Sequence, residues 1–169
     1  MTKWNGRAAL AATVFFGLGL IAGSLPNHAL AHGDEEHGAG AETFAAGEPA
    51  DPKQPFRVVE LAMTEGSGTM AFSPATVEVK KGEQIKFVIK NAGSLDHEFM
   101  LDSMEHNAKH KIAMEKNPEM EHDDPNGIRL QSSKSGEIFW KFSKAGTFEF
   151  ACLIPGHYEA GMHGKVVVK

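Results

Sequence analysis

Cys152, His157 and Met162 stand on one short segment, Cys152-Leu153-Ile154-Pro155-Gly156-His157-Tyr158-Glu159-Ala160-Gly161-Met162, with four residues between Cys and His and four more between His and Met. A thiolate, an imidazole and a thioether so spaced can converge on one ion. A fourth donor, His97, lies far upstream in Asp96-His97-Glu98-Phe99, behind the turn residues Asn91-Ala92-Gly93-Ser94. Two imidazoles and a thiolate with a weak axial thioether suit copper. The thiolate is soft and strongly covalent, and the imidazoles serve both Cu(I) and Cu(II). The weak Met holds a geometry between the preferences of the two states, so little has to move when an electron arrives.

The counts sharpen this reading. The chain has 169 residues, a formal charge of -5, nine His, eight Met and one Cys. One Cys cannot form an internal disulfide, a four-thiolate zinc site or an iron–sulfur site. The acidic balance argues against a nucleic-acid partner, which needs a basic face. Other uses of Cys152 are an inert buried thiol, zinc binding with the two His, or nucleophilic catalysis with a His partner. A Met ligand favours copper over zinc. A two-copper electron-transfer centre needs a second Cys. No oxyanion-hole or third-group signal accompanies the Cys/His pair, so the chain is not read as an enzyme, with Cu(I) oxidation the one activity left open.

The chain opens with Lys3 and Arg7, then the apolar run Ala8 to Ala22, then Pro26 and the small-residue site Ala29-Leu30-Ala31. This pattern predicts a signal peptide over 1–31, the run being short for a membrane span. Export to the periplasm follows, with no membrane segment left after cleavage. Residues 32–55 carry Gly, Ala, Glu, Asp and Pro with few large apolar groups, and are expected to form a disordered acidic arm. His32, at the new N-terminus, and His37 can chelate copper there; the alternative is a solvated linker with incidental His.

From Phe56 the pattern turns to period two. Val77 and Val79 alternate with Glu78 and Lys80, Ile85, Phe87 and Ile89 with Gln84, Lys86 and Lys90, and Phe148, Phe150 and Cys152 with Glu149 and Ala151. Gly66-Ser67-Gly68, Lys81-Gly82 and Ala145-Gly146 mark turns. About seven or eight short strands over roughly 110 residues predict an all-β Greek-key sandwich or barrel over 56–169. An insert, about 102–126, breaks the rhythm. Asp102 or Ser103 can cap a helix and Asn117-Pro118 can stop it. His106, His110 and Met114 would share one face, and Met104-Glu105-His106 recurs as Met120-Glu121-His122.

Taken together, Phe72-Ser-Pro-Ala-Thr-Val-Glu-Val-Lys-Lys-Gly-Glu-Gln-Ile-Lys-Phe87, His97 and the Cys–His–Met loop resemble the cupredoxin family (plastocyanin, azurin, pseudoazurin and relatives) over about residues 56–169. The resemblance implies a cupredoxin-like fold and one type 1 copper held by His97, Cys152, His157 and Met162. Two departures stand out: Glu98 follows the first ligand His, where the family often has Asn, and the Cys–His spacing is longer than in plastocyanin.

A bare electron carrier does not need the remaining His and Met. Met104, His106, His110, Met114, Met120 and His122 of the insert, with His32 and His37 of the arm, are candidates for additional labile copper. The alternative is an amphipathic cover with Met114 and Ile112 packed on the barrel. The combination resembles bacterial periplasmic cupredoxins of copper tolerance, which implies copper handling. A soluble carrier between respiratory partners, such as a cytochrome and a reductase, is the second reading, with Leu153, Ile154, Pro155 and Ala160 as an apolar docking patch around His157. A cuprous oxidase is the third.

Overall fold

The computed structural model describes residues 44–118, 120 and 124–169. The leader, His32, His37 and His122 fall outside the described residues. Ten strands and one helix follow in order: β1 (Glu48–Pro49), β2 (Arg57–Glu65), β3 (Met70–Ser73), β4 (Thr76–Val79), β5 (Gln84–Asn91), β6 (His97–Asp102), α1 (Met104–Lys116), β7 (Gly127–Leu130), β8 (Ser135–Lys141), β9 (Gly146–Ala151) and β10 (His163–Val168). They form two five-stranded sheets, β1-β8-β5-β2-β3 and β4-β10-β9-β6-β7. Most neighbours run antiparallel, while β2–β5 and β4–β10 are parallel. This is the two-sheet β fold expected from the alternation.

The alternating residues fill the space between the sheets. Ile85, Phe87 and Ile89 of β5 are fully buried and meet Phe99, Phe142, Phe150 and Trp140. Phe72 stands edge-on to both Phe99 and Phe150, which stack on each other at 5.5 Å. Strand β6 lacks alternation because both its faces are covered. Phe99 and Leu101 enter the main core, whereas Met100 faces a smaller cluster with Met114, Ala151 and Leu153.

That smaller cluster lies under α1, the predicted insert helix. Ser103 caps it, its hydroxyl accepting from the His106 backbone N–H at 3.1 Å, with Glu105 in the first turn and Lys116 in the last. Asn117 ends it before Pro118, which cannot continue a helix. The helix buries only Asn107 and Met114. The expectation that Ile112 packs on the barrel fails: it is 52% exposed, lying off the 107–114 stripe. Polar ties hold the rest of the helix, from Asn107 Nδ2 to Glu149 Oε2 at 3.1 Å and from Lys111 to Glu159.

The expected arm ends earlier than Pro55. The Phe44 ring packs edge-on to Trp140 at 5.2 Å, and Ala46 is fully buried with its carbonyl accepting from the Trp140 indole N–H at 3.3 Å. Glu48 and Pro49 then pair with Lys141 and Trp140 of β8. At Gly47 (φ +139°) an added Cβ would lie 2.0 Å from the Lys141 carbonyl oxygen, so only glycine lets the segment approach. Residues 32–55 are low in apolar content, yet the last of them cover a buried Trp whose N–H needs an acceptor.

Candidate metal centre

His97 opens β6, and Cys152 follows the last residue of β9, so both ride on paired strands (Met100 faces Ala151). The segment from Cys152 to Met162 closes into a tight loop. The Cys152 N–H donates to the Met162 carbonyl at 3.0 Å, and the Met162 N–H donates to the His157 carbonyl at 3.1 Å. Gly156 (φ +87°) and Gly161 (φ +99°) take the left-handed turns this requires. The Met70 N–H fastens the loop to β3 through the Ala160 carbonyl at 2.9 Å. The three donors of one short segment thus become neighbours through the fold rather than through chain flexibility.

The side chains of His97, Cys152 and His157 converge. His97 Nδ1 lies 3.2 Å from His157 Nδ1, and Cys152 Sγ lies 3.3 Å from His157 Nδ1. All three donor atoms sit within 4.8 Å of one another, the one such group of three among the described residues. His97, Cys152 and Met162 are fully buried, and His157 is half-buried. Met162 shares the core cluster of Cys152.

The chemistry of this trio fits a metal ion. His97 Nε2 lies 3.0 Å from Glu65 Oε1, which holds that proton on Nε2 and leaves the Nδ1 lone pair facing His157. Two imidazole nitrogens and a sulfur with lone pairs crowded together are relieved by a cation between them. Donors each about 2.0–2.3 Å from one ion lie roughly 3–4 Å apart, as the His97–His157 and Cys152–His157 pairs do. The Glu98 backbone N–H donates to Cys152 Sγ at 3.3 Å, which supports negative charge on the sulfur. Burial pushes the Cys152 thiol up to about 12, so without metal it stays protonated and metal uptake must release its proton. Burial, then the neighbouring His97, lowers His157, keeping it a neutral ligand.

Sequence reasoning missed Glu65, because nothing local marks an acid at a strand end. The Leu95 N–H (2.7 Å), the Ser94 hydroxyl (2.7 Å), the Ser94 N–H (2.8 Å) and His97 all converge on its carboxylate. These bonds, Leu95 first, hold it down at about 2. Gly93 permits the approach: a Cβ there would stand 2.3 Å from Glu65 Oε1 and 3.0 Å from His97 Nε2. Glu98 is buried, and loss of hydration raises its carboxyl to about 7 against the pull of Arg129.

The other predicted donors scatter. Met114 is fully buried in the smaller core cluster and Met120 packs against that cluster. Met104 is 63% exposed, beside Thr147 and His163. Only His106 and His110 line one cavity together. Of the expected apolar patch, Leu153 is buried under α1, while Ile154, Pro155 and Ala160 stay at the surface around His157.

The model of the copper binding proteins of the plastocyanin/azurin family matches residues 59–169. The chain is 46% identical over 140 residues to the copper-resistant cuproprotein CopI of Rubrivivax gelatinosus, covering 82% of this chain and 83% of that one. It is 34% identical over 181 residues to CopI of Pseudomonas aeruginosa, covering 90% and 92%. Among solved structures, auracyanin B aligns with a TM-score of 0.58 at 22% identity over 75% of this chain and 98% of its own, a likeness of fold. No described helix is long and apolar enough to cross a membrane.

Proposed function

The chain belongs to the plastocyanin/azurin family of copper-binding proteins, and on that footing we propose that it is a periplasmic copper-tolerance protein. His97, Cys152 and His157 hold one copper, with Met162 as the weak axial ligand. The convergence of two imidazoles and a buried thiol on one point carries this reading. The resemblance to two CopI proteins, each along most of its length, supports the tolerance role over respiration. The pattern of residues 1–31 supports export, and residues 32–43 serve as an acidic arm.

A bound copper supplies one-electron Cu(I)/Cu(II) chemistry. The protein supplies the frame. The Glu65 carboxylate fixes the His97 tautomer, the Glu98 N–H stabilises the thiolate, and the closed loop prevents His157 and Met162 from drifting. One edge of His157 meets solvent beside Ile154, Pro155 and Ala160. That small apolar rim favours a second reading, docking of a redox protein for electron exchange.

Two measurements test the proposal. Copper-loaded protein gives an intense visible thiolate-to-copper band that vanishes in Cys152→Ser; absence of the band from the wild type refutes the ligand set. A deletion strain becomes copper-sensitive while respiring normally; lost respiration with unchanged tolerance assigns the carrier role instead.

A further inference from the structure

A cavity of about 560 Å³ opens beside α1, remote in sequence from the Cys–His–Met loop. His106 and His110 enter it from the helix, one turn apart and therefore on one face. Asp102, at the end of β6, and Asp124, before β7, line the same cavity. Asp102 Oδ1 lies 3.2 Å from His106 Nδ1. This contact holds the His106 proton on Nδ1 and presents Nε2, the arrangement in which a carboxylate orients a metal-binding imidazole.

The floor of the cavity gives an independent sign. Asn107 and Asn126 line it, at 1% and 3% exposure. Their amide nitrogens are spoken for, donating to Glu149 Oε2 at 3.1 Å and to the Leu101 carbonyl at 2.9 Å, which fixes the orientation of both amides. Their Oδ1 atoms have no hydrogen-bond partner among the described residues. Two buried carbonyl oxygens without donors, in a cavity also lined by two imidazoles and two carboxylates, form a surplus of acceptors at the two asparagines. A cation with its bound water answers such a surplus. Lys109, the one basic chain at the rim, is turned to Glu105 at 2.7 Å.

We propose that this cavity is a second copper site, with His106 Nε2, His110 and the Asp124 carboxylate as ligands and Asp102 as the group that orients His106. Nitrogen and oxygen donors of this kind take Cu(II), which binds them more tightly than the other divalent first-row ions. The donors are not drawn together as those of the thiolate centre are: among the described residues only His97, Cys152 and His157 meet within 4.8 Å. Closing them on an ion costs side-chain freedom, so the site is weaker and exchanges its metal with solution. It uses no residue of the thiolate centre and does not rest on that assignment.

The test is a Cu(II) titration of the full chain and its Cys152→Ser variant, with bound copper counted by equilibrium dialysis and followed by electron paramagnetic resonance. Cys152→Ser loses the thiolate band but retains a Cu(II) signal with nitrogen hyperfine structure. Adding His106→Ala and His110→Ala removes one equivalent of copper. The same pair of changes in the wild type removes one equivalent and leaves the thiolate band at full strength. Asp124→Asn, which leaves the helix untouched, weakens the second equivalent at least tenfold. Unchanged copper counts with and without the two imidazoles overturn the site, whereas a missing thiolate band refutes only the other centre. Any copper taken up by residues 32–43 is common to all variants and cancels in the comparison.

Discussion

Replacing Glu98 by Gln should stabilise the metal-free protein most at neutral pH and about a quarter as much at pH 5. Glu98 lies in β6, fully buried, opposite Arg129 of the neighbouring strand β7. Burial raises its carboxyl from 4.5 to about 7, even with Arg129 and the Leu153 N–H acting against it. A group held neutral by the fold binds more protons in the native than in the unfolded chain between those two values. Stability therefore falls as pH rises from about 4.5 to about 7, and is level above that. A tenfold change in proton affinity is about 1.4 kcal/mol, so the full loss is about 3 kcal/mol. Gln keeps the shape and the backbone N–H that serves Cys152, and cannot ionise.

Urea unfolding at pH 5 and pH 8 measures this. With slopes typical of a small domain, about 3 kcal/mol moves the midpoint by roughly 1–3 M. The variant's advantage should be full at pH 8 and shrink to about a quarter of that at pH 5. Glu65 contributes with the opposite sign: held at about 2, it adds stability above its ordinary range that is lost as pH falls toward 2. It is present in both proteins, so the difference between them isolates Glu98. Cys152 stays protonated across the window. An equal midpoint difference at both pH values would refute the claim that an uncharged carboxyl sits beside the thiol.

Other perturbations probe the rest of the frame. Glu65→Gln should weaken copper binding 10–100-fold in a competition titration, because it loosens the orientation of His97 without touching a ligand; an unchanged affinity would show that the His97 ring is held by packing alone. Gly93→Ala should produce the same defect, since its Cβ displaces the Glu65 carboxylate. Met114→Ala should cost roughly 2–5 kcal/mol in denaturant unfolding, as expected for emptying a buried Met site; a loss below about 0.5 kcal/mol would mean α1 is not packed on β6 and β9. Removing residues 1–55 should destabilise the domain and raise Trp140 quenching by acrylamide beyond what removing 1–43 does, because Phe44 and Ala46 cover Trp140.

The sequence made the β fold and the Cys–His–Met loop legible for different reasons. Strands such as β5 bury one face, so period two shows in the letters. The loop is legible because Cys, His and Met are rare and lie close together. Glu65 was invisible because its role depends on a turn at Ser94 and Leu95 about thirty residues away, which no local pattern records. The inward face of α1 is hidden for a related reason. The helix is barely amphipathic and is held by Asn107–Glu149 and Lys111–Glu159, so spacing of apolar residues does not reveal which side points inward. Ala46 and Phe44 escaped notice because two apolar residues in a polar stretch matter only if something buried waits for them.

Strand β6 explains why one chain can hold metal in two manners. Its first residue, His97, faces the sealed centre, and its last, Asp102, borders the open cavity. Between them, Met100 pairs with Ala151, the residue before Cys152. The sealed end has a thiol that yields its proton only to a strongly bound ion, so it is suited to retention. The open end offers imidazoles on a solvent-facing helix, suited to capture and exchange. The two differ in access as well as in their ligands. Copper retention should therefore respond to Cys152→Ser, and the rate of first capture to His106→Ala with His110→Ala. Stopped-flow mixing with Cu(II) separates these. A slower appearance of the thiolate band in the imidazole variant, at unchanged final intensity, would show that the cavity feeds the centre. An unchanged rate would make the two sites independent.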